Sequence, residues 1–321
     1  MTTPAIRSVR IARKTVEALD ICSFELVDPA GEALPPFSAG SHIDVHLPGG
    51  MVRQYSLCND PRESHRYLIA VLRDAQSRGG SVAMHALEVG QILQISDPKN
   101  HFPLVHDGRH SVLLAGGIGI TPILCMAERL ANIGASFELH YCTRSRERTA
   151  FYDRIRGSVF AAKVHFHFDD DPAGQKFHLG SLRAKPTAGT DLYVCGPTGF
   201  MDAMLGAAHQ AGWPEARLHR EYFAAAAVDT SHDGSFEVQI ASTGAVIRVA
   251  ADQAVVTALA MHGIEVPVSC EQGVCGTCLT RVLEGTPDHR DVFLTPAEQA
   301  KGDQFTPCCS RAKSARLVLD L

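Results

Sequence analysis

The sequence predicts a multidomain chain: an antiparallel β-barrel, then an α/β domain with a parallel sheet, then a small cysteine-rich domain. Three observations predict it. Short apolar runs separated by glycine and proline fill the first hundred or so residues, strand and helix patterns alternate from about residue 110, and five of the ten cysteines crowd the chain from Cys270 onward. At 321 residues there is room for two or three domains of about 100–150 residues each. A hydrophobic content of 45% and a mean hydropathy of −0.01 supply ordinary globular cores.

The first region, residues 1–107, carries the apolar runs Ile21–Val27, His42–Leu47, Tyr67–Leu72 and Gln91–Ile95, with Pro35-Pro36, Gly49-Gly50 and Gly79-Gly80 between them. Strands this short, punctuated by turn residues, make an antiparallel barrel or sandwich. In the second region, residues 108–225, the run Ser111–Ala115 precedes Pro122–Ile133, where Ile123, Met126, Ala127 and Leu130 share one helical face. Phe137–Cys142, Val164–Phe168 and Leu192–Cys195 are further strands, and Phe200–Ala211 is a further helix. Such alternation implies a mainly parallel sheet covered by helices. The small, polar stretch Ala224–Ser235 reads as a linker, assigned to residues 226–235. Residues 236–321 open with a hairpin, Phe236–Ile240 and Ala245–Val249, and a short helix, Val255–His262.

Composition excludes several classes. A net charge of −5 and a pI near 6.3 advertise no nucleic-acid partner. The longest apolar stretch, Ser111–Ala127, is broken by glycines and a proline and falls short of a membrane span. Arg7, Arg10, Arg13 and Lys14 are followed by no continuous apolar segment of the signal-peptide kind. A cytoplasmic protein is expected, and in a reducing compartment its cysteines should not form disulfides. Cys22, Cys58, Cys125, Cys142 and Cys195 are scattered and read as small buried hydrophobes.

The crowded cysteines carry chemistry. Cys270, Cys275 and Cys278 are spaced C-x4-C-x2-C, and Cys308 follows after 29 residues. That spacing matches the plant-type [2Fe–2S] pattern. Two bridged ferric ions need four converging thiolates, and Gly273 and Gly276 let the loop wrap round them through φ > 0. Structural zinc is the competing reading, but zinc usually takes two C-x2-C knuckles, and one such pair is present. Cys308 and Cys309 are adjacent.

Ala115-Gly116-Gly117-Ile118-Gly119-Ile120-Thr121-Pro122 follows a strand and opens a helix. Its glycines let the backbone approach a pyrophosphate at the helix N-terminus, and Pro122 suits the first helical turn. Val194-Cys195-Gly196-Pro197 ends another strand ahead of the helix at Phe200. Ligands of open α/β sheets sit beyond the carboxyl ends of the strands, so both turns should face one crevice. In the barrel region, Arg53-Gln54-Tyr55-Ser56 and Arg78-Gly79-Gly80-Ser81 could hold a phosphate and pack on an isoalloxazine ring.

In this order the motifs resemble those of the phthalate dioxygenase reductase family, within the ferredoxin–NADP reductase-like superfamily. The resemblance rests on Arg53-x-Tyr55-Ser56, Arg78–Ser81, Gly116–Pro122, Cys195-Gly196-Pro197, Glu221-x-Phe223 and the cysteine set, and spans almost the whole chain. It implies an FMN-binding barrel, an NAD-binding α/β domain and an α+β plant-type ferredoxin domain. By position, Arg53, Tyr55, Ser56, Val71, Arg73, Arg78, Gly79, Gly80, Ser81, Thr121 and Phe223 would hold the flavin. Gly116, Gly117, Gly119, Cys195, Gly196 and Pro197 would line the nicotinamide nucleotide site. Cys195, Thr121 and Tyr55 are assigned to the place of hydride transfer. The family's fourth ligand is the first residue of the tail Cys308-Cys309-Ser310-Arg311, which selects Cys308 beside Cys270, Cys275 and Cys278.

The implied activity is an NADH-dependent reductase passing electrons through FMN and the cluster to a terminal Rieske-type oxygenase. Transfer from a plant-type cluster near −400 mV to a Rieske centre at roughly −150 to +300 mV runs downhill. Three arginines in Thr143–Arg148 keep NADPH open beside NADH. No side chain need act as general acid or base, and His165 and His167, alternating on a strand, read as structural. Residues 236–321 hold ten Asp/Glu and seven Lys/Arg, a net of −3, too mild for strong steering of a partner. The rival readings are a reductase for a haem monooxygenase or a separate ferredoxin, and a redox-sensing module without turnover.

Overall fold

Strand β1 (Ile6–Ala18) is the longest element and the least legible in the sequence, because Arg7, Arg10, Arg13 and Lys14 interrupt its apolar alternation. Register shifts between Ile11 and Arg13 and between Val16 and Ala18 bend it, and such bulges tighten the twist that a closing sheet needs. The computed structural model describes residues 6–105, 108–171, 177, 180, 188–223 and 230–321. It divides into two compact units, Met1–Glu221 and Tyr222–Leu321.

In the first unit β1 pairs antiparallel with β2 (Ile21–Val27) and β6 (Ile92–Ser96). The other strands are β3 (Ser41–His46), β4 (Val52–Ser56), β5 (Tyr67–Leu72) and the short β7 (Lys99–Asn100). The order β4-β3-β6-β1-β2-β5 is drawn together by a bridge between Leu57 and Ile69. Val9, Ile11, Phe24, Leu26, Ile43, Val45 and Ile69 fill the interior. Helix α1 (Gly80–Ala86) follows β5 where the glycine pair suggested only a turn.

The parallel sheet has the order β10-β9-β8-β11-β12, from β8 (His110–Gly116), β9 (Phe137–Thr143), β10 (Val164–Phe168), β11 (Thr190–Cys195) and β12 (Leu218–Glu221). Its helices are α2 (Ile120–Asn132), the short α3 (Tyr152–Arg156) and α4 (Thr198–Gln210). The two central strands are buried along almost their whole length, as expected of a sheet covered on both faces. Barrel residues Ile21, Ala39, Cys58, Leu68 and Ala70 share one core with Leu113, Ile120, Ile123 and Cys125 of the α/β region. The barrel and the parallel sheet accordingly belong to one compact unit.

In the second unit, β13 (Phe236–Ile240) and β14 (Val246–Val249) form the expected hairpin. Helix α5 (Val255–Met261), β15 (Thr280–Glu284), β16 (Pro287–Asp288), the single-turn α6 (Pro296–Gln299), β17 (Gln304–Phe305), β18 (Arg311–Ala312) and β19 (Arg316–Leu319) follow. The main sheet runs β14-β13-β19-β15-β17, with β13 and β19 parallel. Of the expected linker, residues 224–229 lie outside the described residues. Asp233 belongs to the second unit: its carboxylate binds Arg290 at 2.5 and 2.8 Å and faces Arg311 Nε at 3.4 Å. Cys22, Cys58, Cys125 and Cys195 are buried, Cys142 is only half-buried, and all are free. His165 and His167 pack beside His140, whose Nδ1 lies 3.0 Å from His167 Nε2.

Candidate functional site

The carboxyl ends of β8 and β11 are neighbours in register, Ala115 beside Cys195, so the two glycine turns meet. They meet closely. A Cβ on Gly119 would lie 2.2 Å from the Cys195 carbonyl oxygen, and one on Gly116 or Gly196 would strike the Phe200 ring at 2.8 or 2.7 Å. Gly117 adopts φ +52°. The glycine turn therefore brings backbone close to the start of α2 at the carboxyl end of β8, the place where open α/β sheets take a pyrophosphate. Pro197 is exposed just ahead of α4.

Across the same unit, β4 carries Arg53, Tyr55 and Ser56. Arg53 is drawn to the Arg78–Ser81 turn: its Nη2 donates to the Arg78 carbonyl at 3.4 Å, and a Cβ on Gly80 would lie 2.7 Å from its side-chain stem. Gly79 adopts φ +91°, the Gly79 amide donates to Ser77 Oγ at 3.2 Å, and Ser81 Oγ lies 2.9 Å from that hydroxyl. A guanidinium beside small residues at the start of α1 suits a phosphate monoester. Tyr55 is half-buried against the barrel core, and burial pushes its phenol up. Val71 points into that core, and Arg73 is exposed at the end of β5.

Ser56 joins the barrel to the nucleotide sheet. Its Oγ donates to Glu221 Oε2 at 3.2 Å, across 165 residues of chain, and Glu221 lies beside Cys195 in the β11–β12 register. Burial pushes the Glu221 carboxyl up to about 8, against a smaller opposing effect of the Ser56 hydrogen bond. Burial, with Glu221 next, also pushes the Cys195 thiol up, so both stay protonated and neutral at pH 7. Thr121 is buried at the start of α2, its hydroxyl bound to the Ile118 carbonyl at 3.1 Å. Phe223 is in the second unit with its side chain 37% exposed. Of the three arginines after β9, Arg146 stacks on Tyr152 at 4.5 Å and Arg148 faces Asp20 at 3.7 Å, while Arg144 is exposed.

The cysteine loop closes in the second unit. Cys270, Cys275, Cys278 and Cys308 are all buried, and Cys308 interacts with both Cys270 and Cys278 while Cys275 interacts with Cys270. Amides of Gln272 and Thr277 donate to Cys270 and Cys275 sulfurs, each at 3.4 Å. Glu271, Gly273 and Gly276 take positive φ to aim them. Cys309 instead lies 3.3 Å from Thr306 Oγ1 and 3.8 Å from Ser310 Oγ. Among the described residues no three His, Cys, Asp or Glu side chains are set to close on one metal ion. Four converging thiols with amides turned to the sulfurs fit a binuclear core.

Residues 238–313 match the family described as the 2Fe-2S iron-sulfur cluster binding domain. The chain is 60% identical to vanillate O-demethylase oxidoreductase of Pseudomonas putida over 97% of this chain and 98% of that one. It is 40% identical to phthalate dioxygenase reductase of Burkholderia cepacia over the whole of both. The chain belongs to the phthalate dioxygenase reductase family. A solved phthalate dioxygenase reductase, described as modular for electron transfer from pyridine nucleotides to [2Fe–2S], superposes with a TM-score of 0.79 at 40% identity, covering 98% of each chain.

This reductase is therefore an oxidoreductase, the reductase component of an oxygenase system, with flavin, pyridine nucleotide and a 2Fe-2S cluster as its redox groups. Its order of barrel, parallel sheet and ferredoxin domain is the one the sequence predicts. Among the described residues no helix is long and apolar enough to cross a membrane. Glu221 is the candidate that motif reading left without a role. An acidic residue ending a strand is ordinary until the fold sets it against Ser56 and Cys195.

Proposed function

We propose that this reductase takes a hydride from NADH and delivers single electrons, through FMN and the cluster, to the Rieske-type terminal component of an aromatic O-demethylase acting on vanillate. The observation that carries this is the 60% identity along nearly all of both chains with a vanillate O-demethylase oxidoreductase. When bound, the flavin supplies the exchange between two-electron and one-electron chemistry. Arg53, Arg78 and the Gly79-Gly80-Ser81 turn hold its phosphate. Tyr55, Ser56, Val71, Arg73 and Thr121 border the rest of the flavin. Gly116, Gly117, Gly119, Gly196 and Pro197 take the nucleotide, and neutral Cys195 and Glu221 keep fixed charge away from the hydride path. The engagement of Arg146 and Arg148 by neighbours supports NADH over NADPH. Cys270, Cys275, Cys278 and Cys308 are the cluster ligands.

A second reading is favoured by one observation. An intact type IV self-sufficient cytochrome P450 monooxygenase contains a region 41% identical to this chain, TM-score 0.83, covering 98% of this chain and 41% of that one. Its acceptor reading is a haem monooxygenase. Reconstitution separates the two. The purified reductase should support NADH-dependent vanillate consumption with a Rieske oxygenase component and none with a haem monooxygenase. The reverse result would replace the proposal by the second reading. Acid extraction and chromatography of the bound flavin should yield FMN; FAD would refute that assignment alone.

A further inference from the structure

The carboxyl end of β8 carries the glycine turn, and near its amino end Ser111 borders a cavity of about 380 Å³ that no step of the proposed reaction uses. Ser111 lies five positions before Gly116 on the strand, about 17 Å away at roughly 3.3 Å per residue. Phe37 and Pro61 of the barrel, Leu104 of the connecting segment, and Leu130 and Ile133 at the end of α2 form its apolar wall. That size and lining are those of a small-molecule site. The wall is held in place. The Phe37 ring sits edge-on to Tyr67 with centroids 5.6 Å apart, and the Val105 amide donates to Tyr193 Oη at 2.9 Å.

Most polar groups on the wall are already engaged. Asn100 Nδ2 donates to Ser38 Oγ at 2.7 Å and to the Ala39 carbonyl at 2.9 Å, and its Oδ1 accepts from the Phe102 amide at 2.9 Å. Ser136 Oγ lies 2.8 Å from His110 Nδ1, and Arg62 is held by Asp60, Nη2 to Oδ2, at 2.8 Å. Two groups are left. The guanidinium of half-buried Arg129 and the hydroxyl of buried Ser111 have no hydrogen-bond or ion-pair partner among the described residues. Among the described residues no carboxylate lines the cavity. A cation beside apolar walls and without a counter-ion is complementary to an anion with an apolar body, and the planar guanidinium matches a carboxylate with two parallel donors. Phe37 and the Pro61 ring give that body flat partners. They favour an aromatic ring over a flexible alkyl chain, whose rotamer freedom is lost on binding.

We propose that this cavity binds a small aromatic carboxylate, with its charge on Arg129 and its ring against the wall of Phe37, Leu104 and Leu130, at a site separate from those of flavin and nucleotide. Such a ligand touches the barrel through Phe37 and Pro61 and the parallel-sheet part through Leu130 and Ile133. It therefore braces the two parts of the first unit and stabilises the folded form. No bond forms or breaks there, and no electron passes through it.

The test is isothermal titration calorimetry of benzoate into the full-length protein loaded with flavin and cluster. Acetate lacks the ring and benzyl alcohol lacks the charge, so both serve as comparison probes. Benzoate should bind saturably and more tightly than either. Arg129→Gln should weaken it about tenfold or more, the worth of a hydrogen bond to a charged group, and Arg129→Lys by less. Ile133→Glu puts a like charge at an exposed position on the rim and should weaken it as well. Without benzoate, both Arg129→Gln and Ile133→Glu should reduce ferricyanide with NADH at the parent rate, which separates a lost site from a lost fold. Benzoate that binds no tighter than acetate, or equally well to Arg129→Gln and Ile133→Glu, overturns the site. Benzoate displaced by NAD+ belongs to the nucleotide turn and overturns it too. Octanoate binding more tightly than benzoate overturns the aromatic class of the ligand.

Discussion

Glu221 shows how a side chain acquires chemistry from its surroundings. Its carboxyl is raised to about 8, well above the ordinary value of roughly 4.3. Between those values the unfolded chain carries the charge while the folded one holds the proton. Its contribution to stability is therefore complete at low pH and is lost as pH rises through about 8. The melting temperature should fall between pH 5 and 8 and level off above. Glu221→Gln should flatten that slope, on the order of a few kcal/mol across the window; equal slopes in both proteins would refute the assignment. Arg53→Ala should weaken flavin binding by about 1.5–3 kcal/mol, the worth of a charge-assisted bond, and a fluorescence titration that finds no change would remove Arg53 from the phosphate. The contrast in legibility is physical. Three of the four cysteine ligands sit in one short loop, so spacing betrays them, whereas Ser56 and Glu221 meet across 165 residues and leave no local pattern.

The elements were legible where burial imposes a period. Strands β8 and β11 read as continuous apolar runs because the sheet is covered on both faces, and α2 was legible from its helical apolar spacing, although its first eight residues, 120–127, are buried all round. Strand β1 was missed because its bulges break the alternation. Helix α1 was missed because its seven residues begin at a glycine pair that also spells a turn. The glycine turn ahead of α2 was read correctly as a close approach, but its tightest contact is to protein: Gly119 faces the Cys195 carbonyl. Gly119→Ala meets backbone that cannot swing aside. It should destabilise the first unit by about 3 kcal/mol, the upper range for overpacking, and weaken NADH binding. Gly134→Ala is the control, since its φ of +67° is strained but the space round it is open; about 1 kcal/mol is expected there. Thermal melts and NADH titrations of both variants check the pair. Similar losses in the two would show that the Cys195 contact does not matter.

At the scale of the whole chain, the order of domains was visible in the rhythm of the sequence, but their edges were not, because edges are made by contacts. The barrel and the parallel sheet share a core, and Asp233, in a stretch that reads as linker, is held in the second unit by Arg290 and Arg311 with its side chain 8% exposed. A cluster domain begun at Phe236 would leave both guanidiniums short of their partner. It should be less stable than one begun at Thr230 by about 3 kcal/mol, as when one member of a buried ion pair is removed; equal melting temperatures would refute the clamp. The complementary fragment, ending at Thr230, keeps the whole unit Met1–Glu221 together with every residue assigned to flavin and nucleotide. It should bind FMN and reduce ferricyanide with NADH at close to the full-length rate. It should also lose delivery to the oxygenase and most cytochrome c reduction, because the cysteine loop is the proposed exit and lies wholly beyond the cut. Flavin content must be matched between the two preparations, so that a lost cofactor is not read as a lost exit. If the matched fragment sustains oxygenase turnover at the full-length rate, electrons leave directly from the flavin, and the cluster does not lie on the route to the partner.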